Sequence, residues 1–493
     1  MRIFVSLSLL ALSAVSFTGQ AQTSPATGPV LTLDEAVALA VRNNPQYLQT
    51  TTQRSRAGAA LRSAYGAMLP NVSTDFGSQF REGRKQLFAG QAFGSESNIL
   101  SSSANLSVNA QLSMNALMGP KQSRANLDAA DADVTSSAST LRSTVVQQYL
   151  SALQAQARAV LQDTLLVSTQ AQLDLARARQ QVGAATTLDV RRAEVAVGQQ
   201  RVAVLREGNN VQIELLRLFQ QIGVAQPSGV RLVTSFPVDE PKVQLNELLD
   251  MARAQNPALV ALRSRERSAD VGVSRAKSQW TPTLSLQTGI GGFSQQLRDL
   301  TGTIDQARSS TIAQQRSCFS TDSLRRGAGL NSILGACNQI LFTPGQESAI
   351  RNANSTFPFS MSRNPITVGA QLSFDVFNGF QREQRIQEAA ASRNDARYNV
   401  RAQELRLTAD VTAAYLNLTT AYQTVRLQEQ NQGAAREALA LAQERFRVGA
   451  NTFVDVTQSR SEFERAGTDL INAIYDFHKA YAVLESSVGR SLR

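Results

Sequence analysis

The sequence predicts a mainly α chain with β, a tandem duplication supplying four strands of bilayer-spanning length and long coiled-coil helices. Three observations predict this class. One half of the chain can be laid over the other in ungapped blocks, each half holds two segments of alternating apolar and polar residues, and the intervening stretches run long without glycine or proline.

At the start, Arg2 precedes an apolar run to Phe17, and the small residues Gly19 and Ala21 follow. This is the pattern of a secretory signal over 1–21, cut after Ala21. No cysteine lies at the cut to carry a lipid. Beyond it no apolar run reaches the roughly 18 residues of a membrane-spanning helix, so a membrane role has to come from strands. The hydrophobic fraction of 42% is mostly Ala, Leu and Val, with 6% aromatics, a balance of long packed helices rather than of a bulky core. The net charge of +10 is spread along helices with no basic stripe among aromatics, which argues against nucleic acid as a partner.

Leu33, Glu35, Ala40, Asn44 and Pro45 fall over Leu245, Glu247, Ala252, Asn256 and Pro257, and the register continues to Pro70 over Pro282. Val108 to Ser113 and Gly119 fall over Val368 to Ser373 and Gly379. A third block sets Val182, Gly183, Ala184, Asp189 and Val190 over Val448, Gly449, Ala450, Asp455 and Val456, ending with Gly223 over Gly489. The first repeat is placed at 22–223 and the second at 243–489. Between them 224–242, with Pro227, Pro237 and Pro241, reads as an extended linker. The second copy is longer chiefly at 295–363, an insertion expected to be an external surface loop.

Strands are placed near 71–81 and 105–116 in the first copy and near 283–293 and 365–377 in the second. Leu106, Val108, Ala110 and Leu112 alternate with Ser107, Asn109 and Gln111, as Val368, Ala370 and Leu372 do with Gly369, Gln371 and Ser373. Both a soluble sandwich and a water-filled barrel show this period. The secretory signal and the lack of other alternating segments favour the barrel. Four strands cannot close one in lipid without unpaired edges, so other copies must complete the wall.

The rest is helix, arranged as long hairpins at 119–222 and 379–489. From Gly119 to Val182 about 64 residues, free of proline after Pro120, can form a helix roughly 95 Å long. Val411, Tyr415, Leu418, Tyr422 and Val425 step by four and three, as do Phe463, Ala466, Leu470, Ala473 and Phe477. Small and polar residues fill the other faces, which suits antiparallel coiled coils with one wet side and a hollow tube more than a solid bundle.

Duplication, this order of elements, and the motif from Arg447 to Val456 (Arg-Val-Gly-Ala-Asn-Thr-Phe-Val-Asp-Val), echoed around Gly183, together resemble the TolC family of outer-membrane channel-tunnels. The resemblance spans about Leu31 to Gly489. It implies a homotrimer with a twelve-stranded barrel in outer-membrane lipid and a periplasmic α-helical tube. It further implies a periplasmic adaptor (membrane fusion) protein and an inner-membrane pump or ABC exporter as partners. The function implied is the exit channel of a tripartite efflux pump or type I secretion system, a passive conduit in the bacterial outer membrane. Val182, Gly183, Ala184, Val448, Gly449 and Ala450 are the hairpin tips for adaptor docking. Asp455 matches a family aspartate that rings the periplasmic gate, while the second ring position falls on Gln458. Asp189, with Arg192 near it, matches an aspartate that latches the closed tip, but its usual tyrosine and arginine partners fall on Phe446 and Asn451. Arg445 or Arg447 could substitute in the latch or be surface charge.

The other reading of Asp455 is that it caps the helix beginning after the Gly449 turn, and the two roles can coexist. Cys318 and Cys337 could form a loop disulfide or part of a metal site; export favours the disulfide. The sole histidine, His478, reads as a packing or surface residue, and the chain shows neither a phosphate-binding glycine loop nor a paired-histidine metal motif. No catalytic residues, metal or cofactors are therefore expected. The competing function is a periplasmic coiled-coil adaptor or scaffold, which would lack the four alternating strands.

Overall fold

The computed structural model describes residues 29–83, 86–88, 91–93, 97–233, 236–355, 357–358 and 360–492. The signal segment 1–21 with its cut at Ala21 lies outside the described residues. In chain order the first copy holds β1 (Val30–Leu31), α1 (Leu33–Asn43), α2 (Pro45–Gly66), β2 (Asn71–Arg81), β3 (Gln86–Phe88), β4 (Gln91–Phe93), β5 (Ile99–Leu112), α3 (Met114–Gln181) and α4 (Thr187–Ile222). After β6 (Arg231–Leu232) the second copy holds α5 (Leu245–Gln255), α6 (Pro257–Lys277), β7 (Thr283–Leu297), α7 (Thr301–Gly327), α8 (Leu334–Asn338) and α9 (Pro344–Asn354). It ends with β8 (Ser362–Arg363), β9 (Thr367–Ser373), α10 (Gln381–Arg447) and α11 (Phe453–Val488). The elements fall into a helical unit (up to Thr51, Asp133–Leu259 and from Gln403) and a sheet unit (Thr52–Ala132 and Val260–Ala402).

In the sheet unit, β2, β5 and β7 pair antiparallel in that order, and β8 and β9 both lie on the far side of β7. The register aligns Val72 with Val108, Leu106 with Ile290, and Leu284 with Leu372. Even-numbered positions therefore share one face, and this is the apolar one. Its residues are bare: Phe76 is 81% exposed, Val368 82% and Leu372 70%. The odd face carries Ser, Asn, Gln and Gly, with Ser73 and Ser107 hydrogen-bonded at 2.8 Å. Water would drive such a sheet to bury its even face, so its outward exposure fits a lipid solvent.

The 295–363 insertion is corrected from loop to helix. β7 runs to Leu297 and α7, α8 and α9 follow. The reason is that α7 is polar nearly all round, with no apolar stripe to betray its period. It is held from within: Cys318 is bonded to Cys337 with the Cα atoms 5.5 Å apart, and buried Asp322 accepts from Ser332 Oγ (2.9 Å) and Ile333 N (2.6 Å) and pairs with Arg326 (2.9 Å). Strand limits shift too. β5 starts at Ile99 rather than 105 because the run Ser101–Ser103 masks the alternation, and it stops at Leu112 because Ser113 Oγ accepts from Ala116 N at 3.1 Å and starts α3. That helix thus begins at Met114, not 119, and contains Pro120. The 365–377 strand shortens to β9, with β8 as a separate piece of the same track. Two short pairings had no signal in the sequence, β3 with β4 and β1 with β6 inside the 224–242 linker.

The helical unit is organised by one device used twice. Asn44 ends α1, its Oδ1 accepts from Gln46 N and Tyr47 N at 3.0 Å to start α2, and its Nδ2 donates to Gln221 O at 2.7 Å at the end of α4. Asn256 repeats this, accepting from Leu259 N at 3.0 Å and donating to Ser487 O at 2.8 Å at the end of α11. Gly223 (φ 85°) and Gly489 (φ 84°) close those helices in the left-handed conformation. Around the first device Ala36, Ala40, Tyr149, Leu218 and Ile222 are buried, and Tyr149 donates to Leu31 O at 2.8 Å.

A Cβ on Gly223 would lie 2.5 Å from Asn43 O, whereas one on Gly58 in α2 meets nothing within 4 Å. Gly223→Ala is therefore expected to lose more than the about 1–2 kcal/mol of left-handed strain alone. Gly58→Ala should gain about 0.5–1 kcal/mol of helix propensity. Thermal unfolding of the purified protein in detergent should order the midpoints Gly58→Ala, wild type, Gly223→Ala; equal midpoints would contradict the close approach.

Candidate functional site at the hairpin tips

Both hairpins of the helical unit turn through the same short link. Gly183 (φ 77°) and Gly449 (φ 80°) take the left-handed turn that L side chains resist. Ala184 N and Ala450 N then return 2.8 Å hydrogen bonds to Arg179 O and Arg445 O. Thr186 and Thr452 next cap α4 and α11 in complete capping boxes. Asp189 Oδ2 accepts from Thr186 N (3.0 Å) and Oγ1 (2.7 Å), and Asp455 Oδ2 accepts from Thr452 N (2.9 Å) and Oγ1 (2.8 Å). The Thr186 hydroxyl and amide hold the Asp189 carboxyl below its ordinary value, and the Thr452 amide and hydroxyl do the same for Asp455. Both aspartates thus start helices, and Asp455 stays exposed.

Beneath the tips Leu173, Ala176, Val190, Ala193, Phe446, Phe453 and Val456 form one apolar core drawn from all four helices. Phe446 sits in it, edge-on to Phe453 at 6.0 Å. Of the other predicted residues, Gln458 donates to Glu462 Oε1 at 2.9 Å and Arg447 pairs with Glu444 at 2.9 Å. Arg192 and Arg445 are exposed, and Asn451 is half-buried. Val182 and Val448 stand 78% and 73% exposed at the tips. Among the described residues, no group of three His, Cys, Asp or Glu could hold a metal ion.

The structure adds a residue that the sequence reading passed over. Arg179 of α3 reaches across to the second hairpin, donating from Nη1 to Phe446 O at 2.6 Å with its guanidinium 4.8 Å from the Phe446 ring centre. Its counterpart in the duplicated pattern is Arg445, since both stand three residues before the Val-Gly-Ala turn. The signal was present, but only packing shows which copy crosses. Arg460 of α11 was also missed; it is buried and donates from Nη1 to Thr169 Oγ1 of α3 at 2.9 Å. Burial pushes its pKa down, partly opposed by the charge of Glu464.

The bare apolar face of the sheet and the two long helical hairpins are the marks of an outer-membrane channel. Comparison with known proteins agrees. Residues 36–224 and 345–490 match the family described as outer membrane efflux protein. Outer membrane protein TolC of Vibrio cholerae serotype O1 is 23% identical over 467 residues, covering 93% of this chain and 90% of that protein. Outer membrane efflux protein BepC of Brucella suis biovar 1 is 27% identical over 168 residues, 34% of this chain and 37% of BepC. The fold superposes on the CmeC outer membrane channel of Campylobacter jejuni with a TM-score of 0.67 at 14% identity, covering 98% of this chain and 94% of that one. The chain belongs to the outer membrane efflux protein family, and it is an outer-membrane exit channel rather than an adaptor.

Because Asp189 and Asp455 lie below the ordinary value of 3.8, their contribution is complete above that pH and is lost only as pH falls through the lowered values. Amide exchange at residues 186–190 and 452–456, taken relative to an unstructured peptide at the same pH and followed down an acid series, should therefore quicken only below 3.8. Thr452→Ala should quicken it at the second tip alone at neutral pH. Quickening that begins above 3.8 would contradict the capping geometry.

Proposed function

We propose that this channel works as a homotrimer, a passive duct between the periplasm and the cell exterior energised by an inner-membrane pump through a periplasmic adaptor. The observation that carries the reading is the sheet, with four strand tracks, an exposed apolar face, and β2 and β9 unpaired at its two edges among the described residues. Edges left open in lipid would strand backbone N–H and C=O groups. Three copies joined edge to edge give twelve strands with no edge, with the even face to lipid and the odd face to water. Cargo passes without chemical change, so the chain needs neither catalytic residues nor a cofactor. The first repeat, linker and second repeat at 22–223, 224–242 and 243–489, preceded by a cleaved signal at 1–21, form one such protomer.

The exposed tips, Val182-Gly183-Ala184 and Val448-Gly449-Ala450, are the adaptor's contacts in this reading. Asp455 then has two roles, since its carboxylate caps α11 and three copies of it converge on the entrance as a ring of negative charge. Gln458 brings no charge, so Asp455 is the single ring, and Asp189 and Arg192 flank it. Arg445, Arg447 and Asn451 border the gate, with Phe446 in the core beneath them.

Mass measurement in mild detergent should give three times the chain mass; a stable monomer would sink the trimer. In planar bilayers Asp455→Asn should weaken block by multivalent cations, because the substitution keeps much of the cap and removes the charge. Unchanged block in an assembled Asp455→Asn channel would leave capping as its whole role. The disulfide braces only the α7–α8 insertion, so Cys318→Ser with Cys337→Ser should lower the stability of that segment by about 3 kcal/mol and leave conductance intact.

A further inference from the structure

The bare even face of the sheet runs past the end of β9 into the short link to α10, where Phe377 and Phe380 are 71% and 68% exposed. The two rings meet edge to face, 5.4 Å between centres. Gly379 turns the chain at φ 65°, and Phe380 follows it at φ 63°. A bulky side chain resists this left-handed conformation, and among the described residues Phe380 is the only non-glycine residue held in it. Backbone strain of this kind persists where the position of a side chain matters. Here it holds a large apolar ring in the open.

Beside it Arg382 is buried, its guanidinium 4.0 Å from the Trp280 ring centre and 5.7 Å from that of Phe374. Its Nη2 donates to Val376 O at 3.1 Å and its Nε has no hydrogen-bond partner, so ring faces hold much of the charge. Trp280, the one tryptophan of the chain, is thereby fixed while 47% exposed. Next to it Gln279 Oε1 accepts from Arg385 Nη1 at 3.0 Å, and both Arg385 and Lys277 are exposed. Over 275–282 and 374–385 the acids are Asp375 and Glu383, against Arg275, Lys277, Arg382 and Arg385. In the first copy the places of Trp280, Phe377, Phe380 and Arg382 are taken by Met68, Leu117, Pro120 and Gln122. Duplication therefore does not account for this aromatic and basic corner, which belongs to the second copy alone.

We propose that this corner binds an anionic glycerophospholipid of the leaflet next to the helices, with Trp280, Phe377 and Phe380 in the headgroup layer and Lys277 and Arg385 on the phosphate. The inference rests on the channel reading, in which the even face meets lipid. Phe374 is the next even position after Leu372, so the corner continues that face to the point where α10 and its charges begin. Aromatic rings collect at such a boundary, and basic side chains beside it attract anionic headgroups.

The lone tryptophan is its own probe. Full-length protein is reconstituted in phosphatidylcholine vesicles whose acyl chains carry bromine either near the headgroup or near the bilayer centre. Trp280 fluorescence should be quenched more strongly by the shallow bromines; quenching by neither, or chiefly by the deep ones, overturns the proposal. In vesicles mixed with phosphatidylglycerol, moving the shallow bromines from one lipid to the other should show phosphatidylglycerol enriched at least about fivefold beside Trp280. No enrichment overturns the proposal, as does displacement of phosphatidylglycerol by an equal amount of lipid A. Lys277→Glu with Arg385→Glu should abolish the enrichment and leave the depth unchanged, and enrichment that survives overturns the role of these bases. Should that pair fail to fold, Lys277→Gln with Arg385→Gln decides by the same measure. Trp280→Phe with Val368→Trp moves the probe to the bare face of the sheet. Deep quenching there without shallow quenching of Trp280 strikes the lipid corner alone, whereas no quenching at either place strikes the channel reading.

Discussion

The constraint on which the rest of this structure depends is the solvent reversal of its sheet. Phe76, Val368 and Leu372 point away from any protein core on a face where their neighbours in register are also apolar or small. In water that arrangement would cost roughly the transfer energy of each side chain, about 1.5–3 kcal/mol apiece; in hydrocarbon the cost disappears. Lipid imposes a second demand, because backbone groups that water would solvate must pair within the protein. Among the described residues that second demand falls on β2 and β9, the strands at the two edges of the sheet. On the odd-numbered face Gly77, Gly289, Gly291 and Gly369 lie close against neighbouring strands.

Duplication supplies the helical unit with matched ends. Asn44 and Asn256 each finish one helix, begin the next and bind the end of a third, and the glycines at 223 and 489 approach so closely that a side chain would strike the neighbouring backbone or proline. One buried asparagine thus ties three helix termini whose peptide groups would otherwise be left unpaired. Long helices pair their interior backbone groups internally and leave orphans only at their ends, which is why so much of the geometry is decided at these two points.

How much of this was legible in the sequence depended on whether the deciding force was local. The strand faces could be read because period two is local, and the shared Asn-Pro and Val-Gly-Ala marks located the helix ends because glycine and capping residues act within one turn. The start of β5 was hidden by Ser101–Ser103, which pair with Gln79, Ser78 and Gly77 without alternating. α7 was hidden because its stability comes from a disulfide and from Asp322, contacts made across intervening turns. At the tips, the threonine and aspartate caps could be found by spacing. The reach of Arg179 to Phe446 could not, since it depends on how two hairpins separated by 267 positions pack.

The two copies agree where the backbone needs them and differ where side chains meet something else. Thr186 with Asp189 and Thr452 with Asp455 are the same cap, built to within about 0.1 Å on corresponding bonds. One helical turn further, Arg192 faces Gln458 in the repeat alignment and Glu194 faces Arg460. The exchange has structural consequences: Glu194 binds Arg177 and Arg191 on its own hairpin, while Arg460 turns inward to Thr169 of the other. Arg179 crosses to the second hairpin, but its twin Arg445 stays exposed. Identical hairpins would pack as equals with no reason to prefer one neighbour over another. These few substitutions give each hairpin its own polar partners, so a duplicated scaffold acquires a distinct order of contacts around its tip without any change in the helices that carry them.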